Sequence, residues 1–556
     1  MAVMIRKVLR EHLSKAMREA GYEEVRPEVL PTTNTRFGDY YSTVALRLAR
    51  RDSKQPPEKT AKFLVAKLAK KEEIFKADFT PNGFINFSIS PSFLQAQVQE
   101  IIEEDENFGR VEVGKDKKVQ VEFISANPTG PLTLGNGRGG FMGDALANCL
   151  EKASFQVERE YYINDTGNQI KTLGFSILDV LGIKAEDRKG LYKGEYIVEL
   201  AKLLQKETDI ERYRLKPYDV GGRGAEVLLK EFIKPALAKL KIDFDAFVSE
   251  KHLYESGKVA AALEVLRKKG LVEEREGATW FKAGGGVEDK DRVLVRSDVG
   301  GSEPTYFLAD IAYHLDKFER GFDRVIDLWG ADHAGYVQRM RAAAVALGFD
   351  DKLDIIIVQL VRLKEGGKEV RMSKRTGTFV TLEELVDKVG LDVARFFFIS
   401  HAANTHMDFD LKVAREQSLK NPVYYVQYAH ARCASILRKA QEEGFSLEDL
   451  SNSDTSLLKQ PAELALIKAL MKLPEIVEDI SQNYAVHLLP TYSQITADLF
   501  HKFYEQARVI DPKDKGTSLA RLALVMATKI ILRNSLRLMG VSHPERMEDL
   551  SGEINN

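Results

Sequence analysis

Apolar residues recur along this chain with periods that change from one stretch to the next. Near the N-terminus Val3, Ile5, Val8, Leu9 and Leu13 fall on one helical stripe. A loop, TTNTRFGDYYS, follows, and then a helix carrying Val44, Ala45, Leu48 and Ala49. Pro56-Pro57 interrupts the pattern before Ala61, Leu64, Val65 and Leu68 mark a further helix. GFINFSIS alternates like a strand at a sheet edge, and an acidic helix ending EEDENFG leads out. Residues 1–112 therefore read as a small α+β unit.

The pattern then changes. VQVEFISA is a β-type run of strand length, and a glycine-rich loop comes after it. Met142, Ala145, Leu146, Cys149, Leu150 and Ala153 form a helical stripe, and QVEREYYIND reads as a second strand. Strand, helix and strand in that order predict a doubly wound parallel sheet of the Rossmann-like α/β class over residues 113–395. Residues from about 172 to 300 read as insertions: a charged helical segment, then two antiparallel strands in TWFKAGGGVEDKDRVLVRS. Alternation resumes with TYFLADIAYHLDKFE, RVIDLWGADH and DIIIVQLVRL. Residues 396–556 are almost continuously helical in pattern, which predicts an α-helical bundle.

Composition changes this picture little. The 556 residues are 44% hydrophobic and 29% charged, as in an ordinary globular protein. With 81 basic and 83 acidic residues the net charge is -2, so bulk charge does not announce a nucleic-acid partner, although a local basic face would be enough for one. The two cysteines, Cys149 and Cys433, supply neither a zinc cluster nor a disulfide framework, and fit a reducing, cytoplasmic compartment. The N-terminal stretch lacks the apolar core of a signal peptide, and no membrane span is expected.

The first candidate chemistry lies in PTGPLTLGNGRGGF. Gly135, Gly137 and Gly140 fit G-x-G-x-x-G, the fingerprint of a dinucleotide site, with Glu158 or Glu160 at the offset of a ribose-binding acid. That fingerprint needs its first glycine directly after the strand, whereas Asn127 to Leu134 intervene here and include two stiffening prolines. A dehydrogenase reading, or a plain turn before a helix, explains less than phosphate binding at a helix N-terminus.

The whole phrase EFISANPTGPLTLGNGRGG resembles the first signature of class I aminoacyl-tRNA synthetases, and specifically of bacterial-type arginyl-tRNA synthetases. The family usually carries His-[Ile/Val]-Gly-His where this chain has Thr133-Leu134-Gly135-Asn136. Arg371-Met372-Ser373-Lys374-Arg375 is similar to the second signature, Lys-Met-Ser-Lys-Ser. Further similar phrases run in family order: NTRFGDYYSTVALRLAR, TYFLADIAYHLDKFERGFD, LWGADHAGYVQRM and NPVYYVQYAHAR.

The resemblance implies an arginine–tRNA ligase, with ATP and Mg2+ as co-substrate, no zinc or dinucleotide, arginine tRNA and L-arginine as partners, and a monomer. It implies that Glu122, Tyr306 and Asp310 surround the guanidinium and that Asn127 and Asp332 approach the α-amino end. Chemistry agrees in part. A guanidinium calls for carboxylates, and a glutamate buried in a central strand needs a cationic partner, here expected to be the substrate. Glu122 on an exposed strand face is the bland alternative, and Asp332 serves equally as a helix cap. For ATP the resemblance implies Pro128, Thr133, Gly135, Asn136, Gly137, His333, Arg371, Met372, Ser373 and Lys374, with Lys374 as the principal cation and Arg138 as an additional one. His333 reads equally well as a structural histidine. Asn34 and Phe37 are implied contacts to the tRNA corner, and Tyr504 and Met547 to the anticodon; Tyr424 and Tyr428 at helical spacing fit a core as well. Two other readings stand beside this one: a tRNA-binding paralogue that lost activation with its histidines, and a class I synthetase for another amino acid.

Overall fold

The computed structural model describes residues 4–547, apart from 23–24, 33, 52–55, 69–73, 184–189, 208–215, 283–290, 299–300 and 370–380. Its centre is a five-stranded parallel sheet. In spatial order the strands are Leu353–Val358, Arg324–Gly330, Lys118–Glu122, Gln156–Ile163 and Ala246–Ser249. The first of these five in chain order, Lys118–Glu122, is therefore central, and the strand order reverses between it and Arg324–Gly330. In such sheets ligands bind in the crevice at the carboxyl ends of the strands at that reversal.

The glycine-rich loop leads into the helix Leu134–Lys152, which packs on the sheet. Its glycines allow close approach. A Cβ at Gly143 would strike the Phe123 ring, and one at Gly140 would meet Ile124 and Ile242. The strand-to-helix connection runs through Ile124 and Ser125, both at positive φ (65° and 38°), a left-handed turn that non-glycine residues adopt at some cost.

The helical insertion has its own core. Ile170, Leu173 and Ile177 pack against Ile197, Leu200 and Val227, and Gly174 and Gly221 let two helices touch backbone to backbone. The charged segment expected to be helical also contributes the strand Ala246–Ser249 to the central sheet. DIIIVQLVRL, read as one strand, is two: Leu353–Val358 joins the central sheet and Val361–Glu365 pairs with Met407–Asp410.

At the N-terminus, GFINFSIS is not at an edge. Ile85–Ile89 lies inside a four-stranded sheet between Tyr40–Ser42 and Phe75–Phe79. Part of the expected loop thus forms strand, because Tyr40 and Ser42 are buried and need ladder partners. The helices Pro422–Glu442, Pro461–Leu470, Leu488–Gln506 and Lys515–Leu538 pack into the C-terminal bundle. Arg6 ties the N-terminal unit to that bundle: its guanidinium donates to Glu478 Oε2 (2.6 Å) and Asp479 Oδ2 (3.0 Å), while Tyr40 donates to Glu475 Oε1 (3.0 Å). No helix among the described residues is long and apolar enough to cross a membrane.

Candidate active site

Two adjoining cavities open at the carboxyl ends of the central strands. The first, about 480 Å³, is acidic; its wall includes Glu122, Glu250, Tyr306, Asp310 and Tyr162. The second, about 540 Å³, is walled by the glycine-rich loop, Trp329-Gly330 and Val358–Leu360. Asn127, His333, Ser125 and Trp329 face both. The arrangement suits a small cation beside a nucleotide, with the reacting ends meeting near Asn127.

Beneath the acidic cavity the parallel register aligns Glu160, Glu122 and Asp327 across three adjacent strands. All three are buried. Three carboxylates in a row would repel one another strongly, and the helix Tyr306–Glu319 answers them. Its residues at spacings of three and four (Asp310, Tyr313, His314, Lys317) lie over the row. Lys317 Nζ donates to Glu122 Oε2 (2.5 Å) and Asp327 Oδ1 (2.8 Å). Tyr313 donates to Glu160 Oε1 (2.6 Å), as Arg320 does to Glu160 Oε2 (2.6 Å). His314 Nε2 lies 2.8 Å from Asp327 Oδ2.

Glu122 therefore differs from expectation. Its cationic partner is Lys317 within the chain, and its other oxygen accepts from Ser125 Oγ (2.8 Å). Burial raises its carboxyl, against the pull of Lys317. The cavity's acids without a lysine or arginine partner among the described residues are instead Asp310 and Glu250. Burial pushes Asp310 up to about 6 and Glu250 up to about 7; the Glu122 carboxylate adds to the rise of Asp310, and Asp310 adds to that of Glu250. Glu250, which accepts from Thr166 Oγ1 (2.9 Å), was not singled out from the sequence. It lies in the charged insertion, where an acid one residue after a strand carries no signal of its own.

Tyr306 and Asp310 do share a helix face and both line this cavity. Asn127 Nδ2 donates to Gln169 Oε1 (2.6 Å), and Gln169 Nε2 in turn donates to the Asn164 carbonyl (2.9 Å). Asn164 and Gln169, also not singled out beforehand, line the same wall. Asp332 does not join the acidic cavity; it opens on the second one, where its carboxylate lies 3.7 Å from His333 Nε2.

In the second cavity Thr133 caps the helix Leu134–Lys152. Its backbone N–H and its hydroxyl both donate to Asn136 Oδ1, at 2.9 and 2.8 Å. The two residues that replace the signature histidines thus form a capping box with one another. Gly135 and Asn136 face the cavity, whereas Pro128 is buried outside it and Gly137 packs against Leu382. Arg138 is unavailable for phosphate, contrary to expectation: it is fully buried and donates to the carbonyls of Gln359, Thr405 and Ala402 at 2.8–2.9 Å. Arg371, Met372, Ser373 and Lys374 lie outside the described residues. Thr381, which follows that segment, bridges to Thr133.

Comparison with known proteins decides the family. Residues 4–89 match the arginyl tRNA synthetase N terminal domain, 97–396 the tRNA synthetases class I (R) catalytic domain, and 426–547 the DALR anticodon binding domain. An arginine–tRNA ligase of Bacillus velezensis is 43% identical over 98% of this chain and 100% of its own length. One of Listeria monocytogenes is 44% identical over 97% and 98% respectively. The chain belongs to the arginyl-tRNA synthetase family. The fold agrees: Thermus thermophilus arginyl-tRNA synthetase superposes with a TM-score of 0.76 over 98% of this chain and 100% of that one, at 23% identity.

The remaining residues singled out from the sequence lie in the N-terminal unit and the helical bundle. Asn34 is exposed and its Oδ1 accepts from the Arg36 N–H (3.1 Å), while Phe37 stands 51% exposed beside it. Asp39 is occupied, accepting from Lys468 Nζ (2.6 Å) and the Ile89 N–H (2.8 Å). In the bundle Tyr428 is buried, whereas Tyr504 is partly exposed with the Arg432 guanidinium 4.5 Å from its ring. Met547 is partly exposed at the end of the described chain.

Proposed function

We propose that this chain ligates L-arginine to its tRNA in two steps. The arginine carboxylate attacks the α-phosphorus of ATP, giving arginyl-adenylate and pyrophosphate; the terminal ribose hydroxyl of the tRNA then attacks the adenylate carbonyl. The observation that carries the reading is the acidic cavity. Asp310 and Glu250 are two carboxylates without a lysine or arginine partner among the described residues, facing a space of amino-acid size that opens directly onto a nucleotide-sized one. A guanidinium between them would let both ionise, and an uncharged amino acid would leave them unpaired. That disfavours a class I enzyme for another amino acid. A tRNA-binding module without catalysis would need neither cavity.

In this reading Tyr306 borders the guanidinium, Glu122 lies beneath it holding Lys317 and Ser125, Asn127 approaches the α-amino end, and Gly135 and Asn136 offer N–H groups to phosphate at the helix N-terminus. Lys374 and Arg371 of the second signature add charge, and Met372 and Ser373 of the same motif contact ATP. His333 borders the nucleotide. Positioning and electrostatics do most of the work in such phosphoryl chemistry. ATP enters as its magnesium complex. A third cavity, about 980 Å³, shares Tyr306 and Tyr336 with the acidic one and is lined by Lys171, Lys251 and Arg296; it suits the 3′ end of the tRNA. Asn34 and Phe37 meet the tRNA corner, and Tyr504 and Met547 the anticodon. The chain acts as a monomer in the cytoplasm, a compartment that suits its two free, buried thiols.

Arginine-dependent ATP–pyrophosphate exchange tests the reading, run with and without arginine tRNA. Exchange that requires tRNA, the habit of this family, is the expected result. No exchange under either condition, with tRNA still bound, would replace the ligase by a non-catalytic binding protein.

A further inference from the structure

We infer that Lys193, carried by the helical insertion and by neither signature loop, is a cation that meets the triphosphate of ATP. The inference rests on the ligase reading above and extends it to a residue outside both motifs.

Among the described residues the nucleotide cavity is short of positive charge, whatever Lys374 and Arg371 of the second signature add. Thr133 and Asn136 are neutral, and Asn136 Oδ1 is already taken by Thr133, leaving only the amide N–H groups for a ligand. Arg138 points away into three backbone carbonyls. Asp332 and His333 face one another at the opposite wall. Among the described residues lining the cavity, Lys193 is the one lysine or arginine. A helix N-terminus supplies about half a positive charge, against roughly four negative charges on ATP.

Lys193 is placed there rather than merely near. The Tyr196 hydroxyl donates to the Thr129 carbonyl (3.0 Å), so the insertion is tied to the signature loop itself. The Tyr196 ring also covers Gly130, where a Cβ would come within 3.3 Å. On the other side the Tyr192 N–H donates to Ser176 Oγ (2.9 Å). The backbone flanking Lys193 is thus held at both ends, while its side chain is exposed and makes no ion pair with any described residue. A tethered, uncommitted ammonium beside a phosphate-binding helix end needs an anion, and the polyphosphate is the anion that this cavity is shaped to receive. When the Pα–O bond breaks, the electron pair leaves on the bridging oxygen of pyrophosphate. The ammonium stabilises that charge without transferring a proton.

The test uses the full chain with Lys193→Ala and Lys193→Arg. The expected result for Lys193→Ala is a fall of about 30-fold in kcat/KM for ATP in arginine-dependent exchange, an arginine KM within about twofold of the parent, and recovery to within about fivefold in Lys193→Arg. Unchanged exchange in Lys193→Ala overturns the inference. So does a defect confined to the tRNA KM, which would make the phosphate a tRNA one. Direct titration with MgATP separates the two levels of the argument. If the parent chain shows no exchange, the ligase reading fails, yet weaker MgATP binding by Lys193→Ala would still uphold the lysine contact and equal binding would reject it.

Discussion

Lys317 Nζ lies 2.5 Å from Glu122 Oε2 and is fully buried, so the glutamate at the end of the central strand is neutralised from within the protein. The same ammonium holds Asp327. Removing it with Lys317→Met leaves two buried carboxylates facing each other across adjacent strands. Breaking such a pair typically costs about 3–5 kcal/mol. Chemical denaturation should show a loss of that size, and a variant as stable as the parent would contradict the assignment of Lys317 as the cluster's counter-charge.

Glu122→Gln and Asp310→Asn should then behave differently. Glu122→Gln keeps a Lys317–Asp327 pair and retains an oxygen for Ser125. Asp310→Asn removes one of two carboxylates available to a guanidinium. Loss of a charge-assisted contact of about 3 kcal/mol corresponds to roughly a hundredfold in kcat/KM. Steady-state exchange should show that loss for arginine in Asp310→Asn and in Glu250→Gln, with a KM for ATP close to the parent's and a smaller effect in Glu122→Gln. Equal arginine kinetics in the parent and Asp310→Asn would refute the pocket.

The pH dependence follows from the same two acids. Burial raises Asp310 to about 6 and Glu250 to about 7, above the ordinary carboxylate range. Between the usual value and the raised one the native state holds more protons than the unfolded state, so ligand-free stability falls as pH rises through about 4 to 7. Arginine supplies the missing cation only when the acids are ionised. Its KM should fall between pH 6 and pH 8, and the rise in melting temperature caused by saturating arginine should be larger at pH 8. A thermal shift independent of pH would exclude these groups as the cation's partners.

Thr133 and Asn136 make a cap as well as a phosphate site. Asn136→Ala removes the acceptor of both Thr133 hydrogen bonds, and losing such a cap costs about 1 kcal/mol. Asn136→Asp keeps the acceptor but replaces the amide donor with a negative charge. Stability should therefore fall in the first variant and hold in the second, whereas ATP use should suffer more in the second. Stability by calorimetry and exchange at varied ATP would separate the two roles.

Arg6 joins the N-terminal unit to the C-terminal bundle through Glu478 and Asp479. Arg6→Met leaves buried Glu475 and Glu478 without that guanidinium, so the units should loosen. The expected signature is greater proteolytic sensitivity between them and a raised tRNA KM, with little change in the arginine KM. Proteolysis and tRNA kinetics identical to the parent would show that the contact positions nothing.

The order of units, the doubly wound sheet and the glycine-rich loop before its first helix were legible in the sequence, because period, turn residues and motif spacing are local properties. So was the shared helix face of Tyr306 and Asp310, which a 3.6-residue repeat determines by itself. The N-terminal sheet was legible only in part, since the short strand Tyr40–Ser42 is extended by its ladder partners and not by its own propensity. Partnership was decided by tertiary structure. Register between non-adjacent strands put Glu160, Glu122 and Asp327 in one row, and only a helix from almost two hundred residues later could show that Lys317, not substrate, answers Glu122. Glu250 reached the acidic cavity because its strand joins the sheet after a long insertion, and Arg138 left the phosphate site because three distant carbonyls claim it. Electrostatic pairing depends on distance in space, and sequence separation carries almost no information about that distance.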